Sequence, residues 1–387
     1  MKTLPKTYDP AKYEKKIYSL WERGKFFTPK INLKKKPFTI IMPPPNANGD
    51  LHIGHALFVS LEDIMIRYQR LRGKPALWLP GADHAGFETQ VVFEKLLEKE
   101  GKSRFNMERE EFYQAVWDFT QKNKKNMEKQ LRSLGASCDW TRNKFTLDKG
   151  IVKIVYQTFK RLYDDGLIYR GERLVNYCTH HQTSFSDLEV RYVERKDPLY
   201  YIKYGPFTLA TVRPETKFGD TAVAVNPKDP RYKHYIGKEI EIQDVLGPAK
   251  LKVIADAAVD PDFGTGVVKI TPAHDMTDWE IGKRHNLEVR PVIDRNGRMN
   301  EKAGPYAGLT VDEARKKVVE DLKKKGLIEK IDENYTHKVG VCYKCGTVIE
   351  PVILPQWFIK TKPLAESAIS AVKQGKIKII PKYFEKT

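Results

Sequence analysis

The sequence is poor in cysteine and has no long apolar run. Only four cysteines occur among 387 residues, too few for the disulfide framework of a small secreted domain. No uninterrupted apolar stretch approaches the roughly 20 residues that a membrane-spanning helix needs, and the N-terminal segment MKTLPKTYDP lacks the apolar core of a signal peptide. These absences predict a soluble protein of the cytoplasm with no membrane partner, whose cysteines bind metal or are buried thiols.

Two common phosphate-binding motifs are also missing. The sequence contains neither the G-x-x-x-x-G-K-[ST] loop of P-loop enzymes nor the G-x-G-x-x-G turn of dinucleotide-binding domains. It has no internal repeat and no low-complexity segment. Neither of those two nucleotide-binding classes is therefore supported.

Apolar residues and positive charge are abundant instead. Hydrophobic residues make up 41% and aromatic residues 11% of the chain, which is enough for two or three buried cores. Lysine and arginine total 68 against 50 acidic residues, giving a net charge of +18. A basic surface gains affinity for polyanions by releasing their counterions, although the same charge can serve solubility alone. The composition favours a multidomain globular protein with a polyanionic partner.

The first part of the chain has the pattern of a strand, a helix and a second strand. The short apolar runs FTIIM (38–42) and ALWL (76–79) have strand length. Between them, apolar residues recur at helical spacing over 53–71. Such a βαβ unit belongs to a parallel sheet, whose ligands lie where strand ends meet helix starts. The loops that follow the two strands are therefore expected to carry chemistry.

The loop after the first strand reads PPPNANGDLHIGH and places two histidines at a helix entrance. Backbone N–H groups at a helix start attract phosphate, and Gly54 leaves room for a flat base. The imidazoles of His52 and His55 can donate to phosphoryl oxygens as charge moves in a transition state. The pattern favours a nucleotide triphosphate site, and the alternatives are a metal-binding pair or ordinary surface histidines.

The loop after the second strand, WLPGADHAG, carries Asp83. A carboxylate there can bind an ammonium group or a ribose, and it should face the first loop across the sheet crevice. Asp83 could instead cap the helix that follows.

The spacing of apolar residues predicts four further helices, 10–23, 112–134, 151–168 and 311–322. Over 196–334 the pattern changes to short β-rich runs broken by glycine and proline, which indicates a separate α+β domain. These runs are FTLATV, TAVAV, KEIEI, LKVIAD, GVVKI and VRPVID (289–294). After residue 335 the sequence predicts loops around a cysteine pair.

Polar residues gather at the end of one of these runs. Lys269 and Thr271 belong to GVVKIT, and Asp275 and Asp278 follow beside His274, three residues apart on one face of a predicted helix start. Groups of this kind can bind an amine and position water on an ester. The alternative is a helix cap with a surface salt bridge.

Two short motifs flank the β-rich domain. Cys178 and His181 form a C-x-x-H pair on one side, and Cys342 and Cys345 form a C-x-x-C pair on the other. Three thiolates and one imidazole at this spacing suit a tetrahedral structural Zn²⁺, so we predict one zinc ion per chain. The alternatives are unrelated buried thiols, or His180 as the ligand in place of His181.

Several long motifs then occur in a fixed order. PPPNANGDLHIGHAL resembles the first signature of class I aminoacyl-tRNA synthetases, and LWLPGADHAGFETQVV, LRSLGASCDWTR and RLYDDGLIYRGERLVNYC resemble the valine-specific members of that family. The isoleucine-specific members, which would read closer to GPPYANG and GWDTHG, are the alternative. The resemblance implies an α/β fold in which the first half of a Rossmann-like parallel-sheet catalytic domain is interrupted by an inserted β-rich α+β editing domain with a zinc-ribbon-like connection.

The resemblance also implies five segments. They are an N-terminal helix with the first catalytic half (1–146), a helical connector with the first zinc knuckle (147–195), the editing domain (196–334), a return connector with the second knuckle (335–357) and the start of the second catalytic half (358–387).

For the first site the resemblance implies amino-acid activation, with valine, tRNA(Val) and ATP with Mg²⁺ as partners. A valine carboxylate attacks the α-phosphate of ATP, releasing pyrophosphate and leaving valyl-adenylate, without a covalent enzyme intermediate. The residues carried over to ATP binding are His52, Gly54 and His55, and both histidines are also carried over as catalytic. The residues carried over to amino-acid binding are Pro43, Pro44, Asn46 and Asp83, with Asp83 holding the ammonium group.

For the β-rich domain the resemblance implies hydrolytic editing. Valine-specific enzymes are known to reject the isosteric threonine only about 10²-fold, so a second, hydrolytic site is needed. The residues carried over to this site are Arg213, Thr216, Lys269, Thr271, Asp275 and Asp278. Asp278 is expected to bind the amino group of threonine mischarged onto tRNA(Val).

A second ATP-contacting loop of the K-M-S-K-S type and an anticodon-binding domain are expected in this family, and neither pattern occurs in this sequence. We therefore expect an N-terminal part of a valine-specific ligase, monomeric when complete, which alone does not aminoacylate at a useful rate but can deacylate threonyl-tRNA(Val). The alternatives are an editing-only deacylase fragment and a non-catalytic zinc-containing RNA-binding protein.

Overall fold

The structure, a computed structural model, describes residues 6–386, so residues 1–5 and 387 of the predicted first and last segments lie outside it. The chain divides into two compact units, residues 1–165 and 166–387. Within the described part of the chain, no helix combines the length and the apolar character that crossing a bilayer requires.

The first unit alternates helices with short strands. Its helices are α1 (Pro10–Arg23), α2 (Ile53–Leu71), α3 (Phe87–Lys99), α4 (Arg109–Ser133) and α5 (Lys149–Asp164). Its strands are β1 (Phe38–Ile41), β2 (Ala76–Leu79), β3 (Gly81–Ala82) and β4 (Lys144–Phe145). β1 and β2 pair in parallel with Phe38 opposite Ala76, which confirms the predicted βαβ unit, and β3 pairs in parallel with β4.

Helix α2 packs on this small sheet through one of its faces. Val59 and Ile66 of α2 are buried in one cluster with Met42 and Trp78. The indole N–H of Trp78 donates to Glu62 of the same helix at 2.8 Å, so the polar atom of this buried ring is satisfied. This packing fixes the start of α2 relative to the ends of β1 and β2.

The second unit is richer in strands. Its strands are β5 (Ile168–Cys178), β6 (Thr183–Phe185), β7 (Val190–Lys196), β8 (Leu199–Tyr204), β9 (Phe207–Thr211), β10 (Ala222–Val225), β11 (Glu239–Asp244), β12 (Gly247–Ala255), β13 (Val267–Ile270), β14 (Ile328–Asp332), β15 (Thr336–Cys342) and β16 (Glu350–Ile359). Its helices are α6 (Met276–Arg284), α7 (Val311–Lys324) and α8 (Thr361–Lys373).

These strands form several small sheets around one main core. A four-stranded sheet has the order β11-β12-β10-β13, and a three-stranded sheet has the order β14-β8-β9. Apolar side chains of both sheets and of α7 are buried in one cluster, which includes Leu209, Val223, Val253, Val318 and Leu322. β5 pairs with β16 and β6, and β7 pairs with β15, all antiparallel.

Three details of the sequence prediction were wrong. The run VRPVID forms no strand: Pro291 interrupts it, and the Val292 N–H donates to His274 at 2.8 Å instead of joining a ladder. The helix expected over 151–168 ends at Asp164, because Gly166 adopts a positive φ of 68°. The region after residue 335, expected as loops, contains the long strands β15 and β16.

Candidate functional site

Two loops of the first unit meet at the carboxyl ends of β1 and β2. Asn46 and Asp83 form an isolated parallel bridge, in which the Asp83 N–H donates to Pro45 O at 2.9 Å and the Ala47 N–H donates to Asp83 O at 2.7 Å. The backbone thus brings together two residues predicted to bind an amino acid. Pro44 lies in the same loop, and a Cβ added at Gly81 would stand 3.5 Å from Pro44 Cβ.

Pro43 and Pro44 are both exposed in this structure. An apolar pocket around them is therefore not formed by the loop alone, since a binding pocket buries most of its ligand.

The Asp83 carboxylate is oriented by Thr146, which the sequence analysis missed. The Thr146 hydroxyl donates to Asp83 Oδ1 at 3.1 Å and accepts from the His84 N–H at 2.9 Å. The Ala85 N–H also donates to Asp83 Oδ1, at 2.9 Å. The side chain of Asp83 remains 35% exposed, so a carboxylate with a fixed orientation faces solvent.

Asp83 does not cap the following helix. α3 begins at Phe87 and its N-cap is Gly86, so the capping alternative is wrong. Thr146 follows β4, which is paired in parallel with β3; its position after a third parallel strand end is the signal that could have found it.

The two histidines of the first loop cap α2 reciprocally. The Gly54 N–H donates to His52 Nδ1 at 3.1 Å, and the His52 N–H donates to His55 Nδ1 at 3.2 Å. Both Nδ1 atoms accept, so the proton of each neutral ring is on Nε2. A Cβ added at Gly54 would stand 2.9 Å from His52 Cε1, which explains why this position is glycine.

The electrostatics of this pair favour a neutral donor. The two ring centroids are 4.0 Å apart. Burial first, and the neighbouring His52 second, lower the pKa of His55, so that imidazole is neutral at pH 7 and presents an Nε2–H. Together with the positive end of the α2 dipole, such donors can bind phosphoryl oxygens.

The second unit contains a buried polar cluster at the end of β13. Lys269 Nζ donates to Thr216 Oγ1 at 2.9 Å, to Asp220 Oδ1 at 3.1 Å and to Thr271 Oγ1 at 2.5 Å. The Thr271 hydroxyl donates to Asp220 Oδ1 at 2.6 Å, and the Tyr204 hydroxyl donates to Asp220 Oδ2 at 2.5 Å. The structure therefore joins three predicted residues, and adds Asp220 and Tyr204, which the sequence analysis missed.

The two aspartates at the start of α6 have different environments. Asp275 is exposed and caps the helix, accepting from the Thr277 N–H at 2.7 Å and from the Asp278 N–H at 3.0 Å. Asp278 is buried, and its Oδ2 accepts from the Thr271 N–H at 2.8 Å. Burial, reinforced by the charge of Asp275, raises the pKa of Asp278 to about 7. The alternative of a cap holds for Asp275, whereas a surface salt bridge does not describe Asp278.

Arg213 is bound to two carboxylates rather than to the Lys269 cluster. Its guanidinium donates to Glu215 at 3.0 Å and to Glu350 at 2.7 Å, and Arg315 donates to both oxygens of Glu215, at 2.8 and 2.9 Å. Burial opposes ionisation of Glu215, but the hydrogen bonds from Arg315 and the charge of Arg213 lower its pKa to about 2. The link from Arg213 to this candidate site is the bond from the Thr216 hydroxyl to Arg213 O at 3.0 Å.

The two cysteine motifs come together in the second unit. Cys178 Sγ lies 3.6 Å from His181 Nδ1 and 3.6 Å from Cys345 Sγ, and Cys342 Sγ lies 3.6 Å from His181 Nδ1. All four ligand atoms lie within 4.8 Å of one another. These four residues can hold a metal ion, and His181 rather than His180 completes the group.

The distances suit one particular geometry. Tetrahedral zinc bonded to sulfur at about 2.3 Å and to nitrogen at about 2.0–2.1 Å requires S–S separations of about 3.8 Å and S–N separations of about 3.6 Å. In the first knuckle the His181 N–H points at Cys178 Sγ, 3.5 Å away. In the second, the Gly346 N–H donates to Cys342 O at 2.9 Å. Three of the four ligand residues are buried.

The first unit has a histidine-capped helix at one edge of a parallel sheet, and the second unit has its own buried polar cluster. We expect both features in a class I synthetase. Residues 16–387 match the family described as tRNA synthetases class I (I, L, M and V). The chain belongs to this family and has its mixed α/β fold.

Three of the similar proteins share one name. The chain is 51% identical to a protein of Petrotoga mobilis, 50% to one of Carboxydothermus hydrogenoformans and 48% to one of Thermotoga maritima, each named valine–tRNA ligase. The matches cover 99% to 100% of this chain and 44% to 45% of the relatives. The chain thus spans less than half of the length of these proteins.

Proposed function

We propose that this chain carries the amino-acid-activation residues and the editing site of a valine–tRNA ligase. The observation that supports it most is the convergence of Asn46, Asp83 and the histidine-capped start of α2 around one parallel sheet edge, in a chain that belongs to the class I family. The names of the similar proteins favour valine over isoleucine as the substrate.

In the proposed activation step, valine and MgATP react directly with each other. A carboxylate oxygen of valine attacks the α-phosphorus, the bond to the bridging oxygen breaks, and pyrophosphate leaves with its electron pair. Asp83, oriented by Thr146, would bind the valine ammonium. The Nε2–H groups of His52 and His55 would stabilise the charge that develops on the phosphate oxygens.

A stable adenylate analogue tests this site without requiring turnover. Valyl-sulfamoyl-adenosine should bind the 387-residue chain in a calorimeter more tightly than the isoleucyl analogue does. Asp83→Asn should weaken valyl-analogue binding by about 10-fold or more, since a charge-assisted bond contributes about 1.5–3 kcal/mol. Glu88→Gln, in the first turn of α3, is the matched control and should bind normally. Tighter binding of the isoleucyl analogue would reassign the specificity, and no binding of either would refute the activation site.

In the proposed editing step, water hydrolyses the ester of threonyl-tRNA(Val). The products are threonine and free tRNA, and no bond to the protein forms. Asp278 would bind the threonyl ammonium, while the cluster of Thr216, Lys269 and Thr271 would face the ester. Arg213 would lie at the edge of this site, where its carbonyl oxygen accepts from the Thr216 hydroxyl. Asp275 would support the site by capping α6.

Deacylation of purified tRNA tests this step. The chain should hydrolyse threonyl-tRNA(Val) and spare valyl-tRNA(Val), and Asp278→Asn should slow the reaction by about 10- to 100-fold, the equivalent of a lost charged contact. Equal hydrolysis of both substrates, or full activity in Asp278→Asn, would contradict the assignment.

An editing-only deacylase is the second candidate. It is favoured by one observation: residues 166–387 form a compact unit with a core of their own. Deacylation of threonyl-tRNA(Val) by a chain that binds no adenylate analogue would select this candidate over the first.

The metal site is proposed to be structural. Cys178, His181, Cys342 and Cys345 would hold one Zn²⁺ and join the end of β5 to the end of β15. Protein purified without chelators should contain one zinc per chain by atomic emission. A metal-free protein with a native circular dichroism spectrum would refute this.

A further inference from the structure

Asp220 is the most heavily bonded acceptor in the buried cluster of the second unit. Its side chain is 2% exposed and forms an ion pair with Lys269 at 3.1 Å. The same oxygen, Oδ1, accepts from Thr271, and Oδ2 accepts from Tyr204. One carboxylate therefore binds the lysine, the threonine beside it and a fully buried tyrosine.

The protons of the cluster can be counted. The three N–H protons of Lys269 go to Thr216, Asp220 and Thr271. The Thr216 hydroxyl donates its proton to Arg213 O, and the Thr271 hydroxyl donates its proton to Asp220. Each hydroxyl keeps one unused lone pair, so both threonines can only accept from a ligand. The position of Lys269 and the direction of the Thr271 hydroxyl both depend on Asp220.

The charges around Lys269 make Asp220 its main counter-ion. The titratable groups that interact with the ammonium from the surrounding elements are Asp220, Asp278, Lys217 and His274. Burial lowers the pKa of His274 to about 3, so that ring is neutral. Lys217 has its own partner, Asp244. Asp278 is bound to a backbone N–H rather than to the ammonium.

We propose that Asp220 is a positioning residue of the candidate editing site, which holds the Lys269 ammonium and sets the Thr271 hydroxyl as an acceptor. This inference rests on the proposed editing function. It assigns Asp220 no contact with the substrate, so its removal should reduce the rate of hydrolysis without weakening tRNA binding.

The first test is kinetic and uses the full chain. Asp220→Asn keeps the shape of the side chain and removes its charge, and kcat for threonyl-tRNA(Val) hydrolysis should fall by about 10- to 100-fold, as expected for a charged hydrogen bond, with KM unchanged. Asp256→Asn is the matched control: Asp256 is another buried carboxylate of this unit, bonded to Arg284 and His285, and its variant should keep kcat. A folded Asp220→Asn protein with normal kcat would overturn the proposal.

The second test does not depend on activity. Brief acetylation with acetic anhydride, followed by peptide mass spectrometry, reports how firmly each lysine is held, and Lys324, an exposed lysine of α7 paired with Asp321, serves as the internal reference. Labelling of Lys269 relative to Lys324 should rise about 10-fold in Asp220→Asn and stay unchanged in Asp256→Asn. If the unsubstituted chain hydrolyses no threonyl-tRNA(Val), the editing function is refuted while this ratio still decides whether Asp220 holds Lys269. An unchanged ratio would overturn the proposal.

Discussion

Replacing Asp278 by asparagine should stabilise the protein while it disables the proposed editing site. The pKa of Asp278 is raised from 3.8 to about 7, mainly by burial. A carboxyl group whose pKa is higher in the folded state binds its proton more tightly there. Folding is therefore opposed once the pH exceeds 3.8, and the full cost is reached above pH 7. Asparagine is neutral at every pH, so the variant escapes this cost.

The magnitude follows from the two pKa values. At about 1.4 kcal/mol per pKa unit, the shift from 3.8 to about 7 makes the Asp278 carboxyl group oppose folding by about 4 kcal/mol at pH 8 and by about 2 kcal/mol at pH 5. Asparagine keeps an oxygen that can accept from the Thr271 N–H, the bond that Asp278 Oδ2 receives at 2.8 Å. The gain in stability of Asp278→Asn should therefore grow by about 2 kcal/mol between pH 5 and pH 8.

Hydrogen exchange in urea, followed by mass spectrometry on the peptide that contains β13, measures the free energy of unfolding locally at each pH. Asp256→Asn is a control in which the free energy of unfolding should change in the opposite direction. Hydrogen bonds from Arg284 lower the pKa of Asp256, so its carboxylate stabilises the fold above the unfolded pKa. The variant should therefore be less stable than the parent at pH 8. An Asp278→Asn protein that is no more stable than the parent at pH 8, or whose gain is the same at both pH values, would refute the reasoning.

Three further outcomes are expected. Gly54→Ala should displace the His52 ring, which a Cβ would approach to 2.9 Å, and cost about 0.5–2 kcal/mol of stability through the lost cap, measured by denaturant unfolding; a gain would contradict the cap. Thr146→Val removes the hydroxyl that donates to Asp83 and should weaken binding of valyl-sulfamoyl-adenosine by about 3- to 10-fold in the calorimeter. Thr141→Val is the control and should bind the analogue normally. Cys342→Ser should abolish zinc binding and expose the β15 region to protease, and retention of the metal would reject Cys342 as a ligand.

Local patterns were sufficient to predict that the two loops of the first unit meet, because they lie at the ends of adjacent strands. The alternation of apolar runs predicted β1, α2 and β2, and parallel pairing then requires Asn46 and Asp83 to share one edge. The cysteine motifs likewise predicted their own convergence through ligand spacing. In both cases a short motif identifies the residues, and strand pairing or a shared ligand set predicts which motifs meet.

The sequence did not predict contacts between distant segments where no ligand motif or strand pairing indicates them. Asp220 lies 49 positions from its partner Lys269, and the pattern around Asp220 resembles an ordinary turn before a strand. Strand β16 was missed because EPVILPQWFI contains Pro351 and Pro355, and proline argues against a central strand. β16 lies at the edge of its sheet, where a missing N–H is tolerated. Edge position is a property of the assembled sheet and cannot be read from one segment.

The ion pairs of the second unit explain why the ionised carboxylate of Asp278 is unfavourable for folding. Arg213 and Arg315 balance Glu215 and Glu350, and Lys269 balances Asp220. Ionised Asp278 is then left with one uncompensated negative charge in a buried place, which is the origin of its raised pKa. A bound ammonium group would supply the missing positive charge, and by linkage it would lower the pKa of Asp278 as it binds. In the proposed editing site, the ionised Asp278 carboxylate therefore lowers the stability of the fold. Binding of the ammonium group of an aminoacyl ester would offset this loss of stability.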